Sequence, residues 1–186
     1  MSKHKNVDDT TYGGGTGMLL KVDPLYNQLR ALDVLKRNKK TRVILLTPEG
    51  KKFNHKAAVR LSKCDRVVLI AGRYEGFDAR IEEFVDEKLY IGPDVLSGGE
   101  LPALVVLEAV ARQIPGVLGH SEEALQNETF ASGASVGEYP QYTRPEHFTA
   151  DDGTVFSVPD VLLSGDHAKI ADWRKGQQRK TGKAKH

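Results

Sequence analysis

Three loops of this chain carry the residue types that could hold and act on a small ligand: Gly72-Arg73-Tyr74-Glu75-Gly76, Ile91–Pro102 and Arg112–Gly119. In the second, an extended apolar segment runs into Gly98-Gly99 and then opens a helix. Glycine at such a turn lets the backbone approach a ligand closely, so that main-chain N–H and C=O groups become the binding groups. A single strand–Gly–Gly–helix turn is also an ordinary tight turn, and its companions upstream and downstream give it weight. No Gly-x-Gly-x-x-Gly follows a strand and no Gly-Lys-Ser/Thr occurs, so neither usual nucleotide-phosphate cradle is present.

The elements that must position these loops alternate. Asp23-Pro24 reads as a helix start, with Asp as cap, and Leu25, Leu29, Leu32 and Leu35 recur at helical spacing. Arg42–Thr47 reads as a buried strand ended by Pro48-Glu49-Gly50, and Arg66–Ala71 as a second. Asn54 caps a helix through Lys63 with Ala57, Ala58 and Leu61 inward. Asp78–Val85 is helical and Lys88–Ile91 a short strand. Leu101–Ile114 is an apolar helix with Pro102 in its first turn, stopped by Pro115-Gly116. Residues 1–17 read as a flexible Gly-rich arm, residues 131–160 as mostly loop, and Asp166–Lys175 as a last helix. Continuous apolar strands alternating with helices predict an α/β fold: a parallel sheet flanked by helices. Ligands bind such sheets at the C-terminal strand ends, where Thr47–Gly50, Gly72–Gly76 and Ile91–Gly99 all fall.

Composition narrows the class. The 186 residues are 39% hydrophobic and 28% charged, as in a soluble globular protein. No apolar run reaches membrane-spanning length, and no signal-like core follows Met1–Lys5, so the expected location is cytoplasmic, without a membrane partner. Cys64 is the lone cysteine, which precludes an internal disulfide and suits a packing role. The histidines show no metal-ligand spacing. Net charge is +2, but from Trp173 onward six Lys/Arg and no acid leave the remainder at −4. Such a tail could hold a polyanion through counterion release, or could simply be a solvated end. If it grips the substrate, deleting residues 174–186 flattens the salt dependence of polyanion binding; an unchanged slope excludes the role.

Six segments in order then match a family: Val7–Gly15, Gly72–Gly76, Ile91-Gly92 with Val95–Pro102, Arg112 with Ile114–Gly119, Tyr142–Glu146 and Leu162–His167. From about Lys5 to Trp173 the chain resembles the bacterial tRNA (guanine-N1)-methyltransferases of the SPOUT superfamily. The resemblance implies a C-terminal trefoil knot in the sheet, a fold that general topology rules would not suggest. It divides the chain into a SPOUT methyltransferase domain over residues 1–160, and a linker, last helix and basic tail over 161–186. It also implies a strand–helix unit before Lys5 and a helical tRNA-binding domain after Trp173, neither of which this sequence contains. Implied partners are tRNA, not DNA, and a second copy in a homodimer.

By the same resemblance S-adenosylmethionine is the methyl donor. Gly72, Ile91, Gly92, Pro93, Asp94, Val95 and Leu96 fall on its binding positions, Gly98 and Gly99 lie beside them, and Leu45, Leu46, Thr47 and Pro48 form another wall. Pro93-Asp94 departs from the more usual Asp-Tyr, at the cost of an aromatic wall. Guanine N1 carries a proton and must lose it before accepting a methyl group, while negative charge builds on O6; a carboxylate base and a cationic donor would serve. Arg112 matches the arginine that supports O6, although an arginine at a helix C-terminus also suits the macrodipole. Glu75 matches the carboxylate near the target base. The family base is an Asp; here Asn127-Glu128-Thr129-Phe130 puts Glu128 in its place. Asp8, Tyr12, Tyr74 and Arg144 match RNA-contacting positions. Mg²⁺ is compatible with Glu75 and Glu128, with no dedicated protein metal site. The alternative reading is a catalytically impaired remnant that still binds S-adenosylmethionine or RNA.

Overall fold

In a computed structural model, which describes residues 6–36, 38–117 and 139–178, the apolar run Val43–Leu46 is the centre of a parallel sheet. It lies in strand β3 (Thr41–Lys52), flanked by β4 (Arg66–Ile70) and β5 (Glu87–Tyr90), both parallel to it. Successive side chains of a strand point to opposite faces, so an unbroken apolar run needs cover on both. Val43 and Leu45 pack with Leu29, Val34, Ile70, Ile81 and Val85, while Ile44 and Leu46 pack with Ala58, Leu61, Leu89, Val106 and Val110. Helix α1 (Val22–Ala31) and the 3-10 helix Ala79–Phe84 cover the first face; α2 (His55–Leu61) and α3 (Glu100–Ala111) cover the second. Each such side chain contributes roughly 1.5–3 kcal/mol of burial, which fixes the strand register from which the functional loops emerge. Asp86 adds a polar clamp, its carboxylate accepting from Val43 N at 2.8 Å while its own N donates to Val43 O.

Several local expectations are corrected. Asp23 is not a cap: Lys21 occupies the N-cap position, without a side-chain bond, and Pro24 sits inside the first turn. Leu35 lies beyond α1, because Asp33 turns left-handed (φ +53°) after Leu32. Asn54 does cap α2, accepting from Ala57 N at 3.0 Å. Strand β3 does not end at Thr47; Leu89 pairs with both Leu46 and Lys51, so Thr47–Gly50 bulges out between two pairings. The N-terminal arm is a hairpin of β1 (Asp8–Thr10) and β2 (Met18–Leu20), not a free segment. Cys64 is only partly buried, at the surface end of the α2 turn, so it is not a core residue.

The chain divides into two compact units, with residues 6–117 in the first and 139–178 in the second. The second holds a hairpin, β6 (His147–Thr149) with β7 (Val155–Ser157), then α4 (Asp160–Leu163) and α5 (His167–Gln177). Residues 139–146 are irregular, as expected, but the hairpin falls where a loop was expected, closed by a turn at Asp151-Asp152-Gly153 with Gly153 at φ +84°. Asp166 caps α5 by accepting from Lys169 N.

Candidate functional site

The loops after β4 and β5 are joined backbone to backbone. Gly99 N donates to Gly72 O at 2.7 Å, Arg73 and Gly98 pair as an antiparallel bridge, and Arg73 Nε donates to Glu100 Oε1 at 2.6 Å. The glycines are required by space. A Cβ on Gly99 would lie 2.9 Å from both Ala71 Cα and Gly72 N, and one on Gly72 would lie 2.6 Å from the Phe77 ring. Main chain here packs directly on main chain, an approach that only glycine permits. Glu100 opens α3, and its carboxyl is held below the usual carboxylate range, first by its own backbone N–H and then by Arg73. The clasp is therefore intact at neutral pH and lost in acid, as pH falls through that lowered value.

The N-terminal hairpin is fastened to the same loop. Glu75 N donates to Met18 O at 3.1 Å, Leu20 N to Gly76 O at 2.9 Å and Asp78 N to Leu20 O at 2.9 Å. Gly17 (φ +86°) passes against the Glu75 side chain; a Cβ there would lie 2.9 Å from Oε1. Tyr74 holds φ +60°, a left-handed conformation unusual for a bulky residue, and presents its ring to solvent. Such strain, of order 1–3 kcal/mol, is characteristic of functional loops. Tyr12 is fully exposed on the hairpin loop and Asp8 lies in β1. The structure thus brings Asp8, Tyr12, Tyr74 and Glu75 onto one hairpin-and-loop assembly.

The expected cofactor positions divide. Gly72, Gly98 and Gly99 sit in the joined loops. Ile91 packs toward the Ile44–Leu46 face, whereas Val95 and Leu96 are exposed on the loop that leads to Gly98. Gly92 lies beside the Asp94 carboxylate, and Pro93 is exposed. Leu45 and Leu46 are buried on opposite faces of the sheet, so any contact they offer a ligand is through backbone. Thr47 and Pro48 belong to the bulge beside the end of β5. Arg112 is the C-cap of α3, 3.9 Å from Glu108 Oε1, which satisfies its macrodipole reading as well. Arg144 is exposed in the second unit. Glu128 lies outside the described residues, as does the tail beyond residue 178. Among the described residues no group of three or more His, Cys, Asp or Glu could hold a metal ion.

Sequence reasoning missed the fastening of the N-terminal hairpin and the Arg73–Glu100 pair. The first left a signal, Met18-Leu19-Leu20 after the glycines, an apolar run that a free arm would not need.

The family described as "tRNA (Guanine-1)-methyltransferase TrmD" matches residues 1–186. Proteins named "tRNA (guanine-N(1)-)-methyltransferase" from Staphylococcus aureus strains JH9, Newman and JH1 are each 48% identical over 179 residues, covering 96% of this chain and 69% of theirs.

Proposed function

The chain belongs to the tRNA (guanine-N1)-methyltransferase family and methylates guanine N1 in tRNA, and we propose that the target is the guanosine 3′ of the anticodon. The observation that supports this reading is the family match over residues 1–186, with 48% identity to named relatives over 179 of them. The methyl donor is S-adenosylmethionine, as the family implies. When bound, it supplies an electrophilic methyl group on a sulfonium. The residues present fit it: Gly72 and Gly99 let the loops after β4 and β5 meet main chain to main chain, where no Cβ has room, and exposed Val95 and Leu96 on the adjoining loop offer apolar cover. The trefoil knot of the family is the topology we assign to this sheet.

The chemistry asked of the chain is then specific. Glu128 accepts the proton from guanine N1. Arg112 holds the negative charge that develops on O6. With S-adenosylmethionine bound, the N1 lone pair so freed would take the methyl group, S-adenosylhomocysteine would leave with the carbon–sulfur electron pair, and Glu128 keeps the proton. Glu75, set by its bonds to the hairpin, stands near the base, and Asp8, Tyr12, Tyr74 and Arg144 meet the RNA. Mg²⁺ is proposed as an aid near Glu75 and Glu128, tested by chelation before assay.

Methylation of an unmodified tRNA transcript, read as 1-methylguanosine by nucleoside mass spectrometry, tests the reading. Product at that guanosine is expected. Cofactor binding with no product supports the impaired remnant instead. Within this scheme Gly17→Ala adds about 1–2 kcal/mol of left-handed strain and crowds Glu75. We expect kcat to fall about tenfold while S-adenosylmethionine affinity holds; unchanged kcat removes Glu75 from the mechanism.

A homodimer is proposed from α3. Val106 and Val110 face the core, yet Leu101, Leu104, Val105 and Leu107 are exposed, so apart from Glu108 the helix is apolar on its outward face as well. Such a helix is normally buried on every side. A second copy is the occupant we assign. Leu104→Lys with Leu107→Lys should convert a dimer to a monomer in sedimentation; an unshifted mass sinks this interface. No helix among the described residues is long and apolar enough to cross a membrane. A cytoplasmic location is proposed from the tRNA substrate alone.

A further inference from the structure

The unit formed by residues 139–178 carries a cleft of about 440 Å³ of its own, of whose lining only Arg144 was given a role above, as an RNA contact. That volume is within the ~300–1,000 Å³ typical of small-ligand sites. Its aromatic lining is Tyr139, Tyr142 and Trp173, and its cations are Arg144 and Arg174, against the single carboxylate Glu146 among its described lining residues. The Tyr142 and Trp173 rings lie 6.3 Å apart and are tilted by 56°, so they stand as two tilted walls. Arg174 sits 5.0 Å over the Tyr139 ring, a cation held at the rim by its π-face. Tyr142 is half-exposed, and Glu146 lies 3.5 Å from His147 Nε2. No residue of 139–178 is fully buried, so these rings are not a packed core.

Aromatic faces with guanidinium groups beside them fit one ligand chemistry well. A nucleobase stacks on the ring, and its phosphate meets the arginines. A purely apolar ligand would leave Arg144 and Arg174 without purpose, and a bare anion would leave the aromatic walls without one. We propose that this cleft is a second nucleobase subsite, which takes one unstacked nucleotide of the substrate RNA with the base against Trp173 and Tyr142 and its phosphate on Arg144 and Arg174. The proposal rests on the tRNA reading above and adds a recognition site to it. The subsite positions RNA and takes no part in methyl transfer.

Trp173 is the only tryptophan in the chain, which makes the test direct. Titration of the full protein with unmodified tRNA transcript should quench Trp173 emission saturably, with the midpoint of binding measured independently by filter retention. Base–aromatic stacking supports about a five- to hundredfold loss of tRNA affinity for Trp173→Ala. Trp173→Phe keeps a stacking face and should recover most of it. S-adenosylmethionine binding should be the same in all three proteins. Bound tRNA with unchanged Trp173 emission overturns the proposal, and so does Trp173→Ala affinity within twofold of the parent. The parent emission needs no variant, so misfolding of Trp173→Ala cannot mask the answer. A parent that quenches with tRNA but forms no 1-methylguanosine fails the catalytic reading and keeps the cleft. Absence of any tRNA binding overturns both.

Discussion

Gly99→Ala is expected to weaken S-adenosylmethionine binding about 10- to 100-fold in calorimetry and to lower kcat/KM for methyl transfer at least as far. The new methyl group would sit 2.9 Å from Ala71 Cα and 2.9 Å from Gly72 N. Both are backbone atoms at the end of β4, anchored by Ile70 in the core, and neither can swing aside as a side chain could. Relief requires the two loops to part, which breaks the 2.7 Å bond from Gly99 N to Gly72 O. Overpacking of this kind costs about 1–3 kcal/mol, and each 1.4 kcal/mol is tenfold in affinity. Gly72→Ala should be milder for the cofactor and worse for stability, because its clash is with the Phe77 ring, which packs against the core and can shift. Gly176→Ala serves as the control. Nothing lies within 4 Å of its Cβ position in α5, so melting temperature should hold or rise and cofactor binding should not change. Gly99→Ala with cofactor affinity within twofold of the parent would show that the joined glycine loops are only a turn.

The contrast between what could be read and what could not follows the range of the forces involved. The run Val43–Leu46 carries its own message, since residues apolar on both strand faces need two layers of cover, and the sheet follows. Asn54 was legible as a cap because a cap is a local hydrogen bond three residues long. Asp23 was misread because Pro24 next to it mimics the same signal two residues after the true N-cap, Lys21. The Thr47–Gly50 bulge depends on Leu89 pairing twice, a relation between strands more than thirty residues apart in sequence that no local pattern encodes. The N-terminal hairpin is of the same kind. Its glycines and polar residues suggest a free arm, and it is held by Gly76 O, the Glu75 amide and the Asp78 amide, which are tertiary partners. The Asp152-Gly153 turn between two short β-rich stretches did encode β6 and β7, and the abundance of Gly, Pro and Thr around it hid them. Site residues were legible only through the family's motifs, because a glycine's role as cradle or plain turn differs by what stands against it. Here that is a backbone 2.9 Å away.

The largest effect on chemistry should come from Glu128→Gln. A glutamine has the shape of the side chain it replaces and cannot take a proton, so a general base is removed with little change in volume. General-base catalysis is worth about 10²–10⁴ in rate, and a loss of kcat in that range is expected with tRNA and S-adenosylmethionine affinities retained. The signature of a base, beyond mere positioning, lies in the pH profile. The parent needs an ionised carboxylate, so its kcat should rise with pH through the carboxylate's titration and then level. Glu128→Gln should lose that limb and instead climb in alkali, as guanine N1 sheds its proton to solvent unaided. Glu128→Asp retains the charge and shortens the reach by one methylene. Because misplacement of about 1 Å can cost on the order of a hundredfold, that variant measures whether the surrounding loop has adapted to the longer acid: a marked drop in kcat shows that it has, and a gain shows that Glu128 works at a strained distance. Full activity of Glu128→Gln would move the base elsewhere, with Glu75, fixed beside Gly17 by the hairpin, as the carboxylate to examine next.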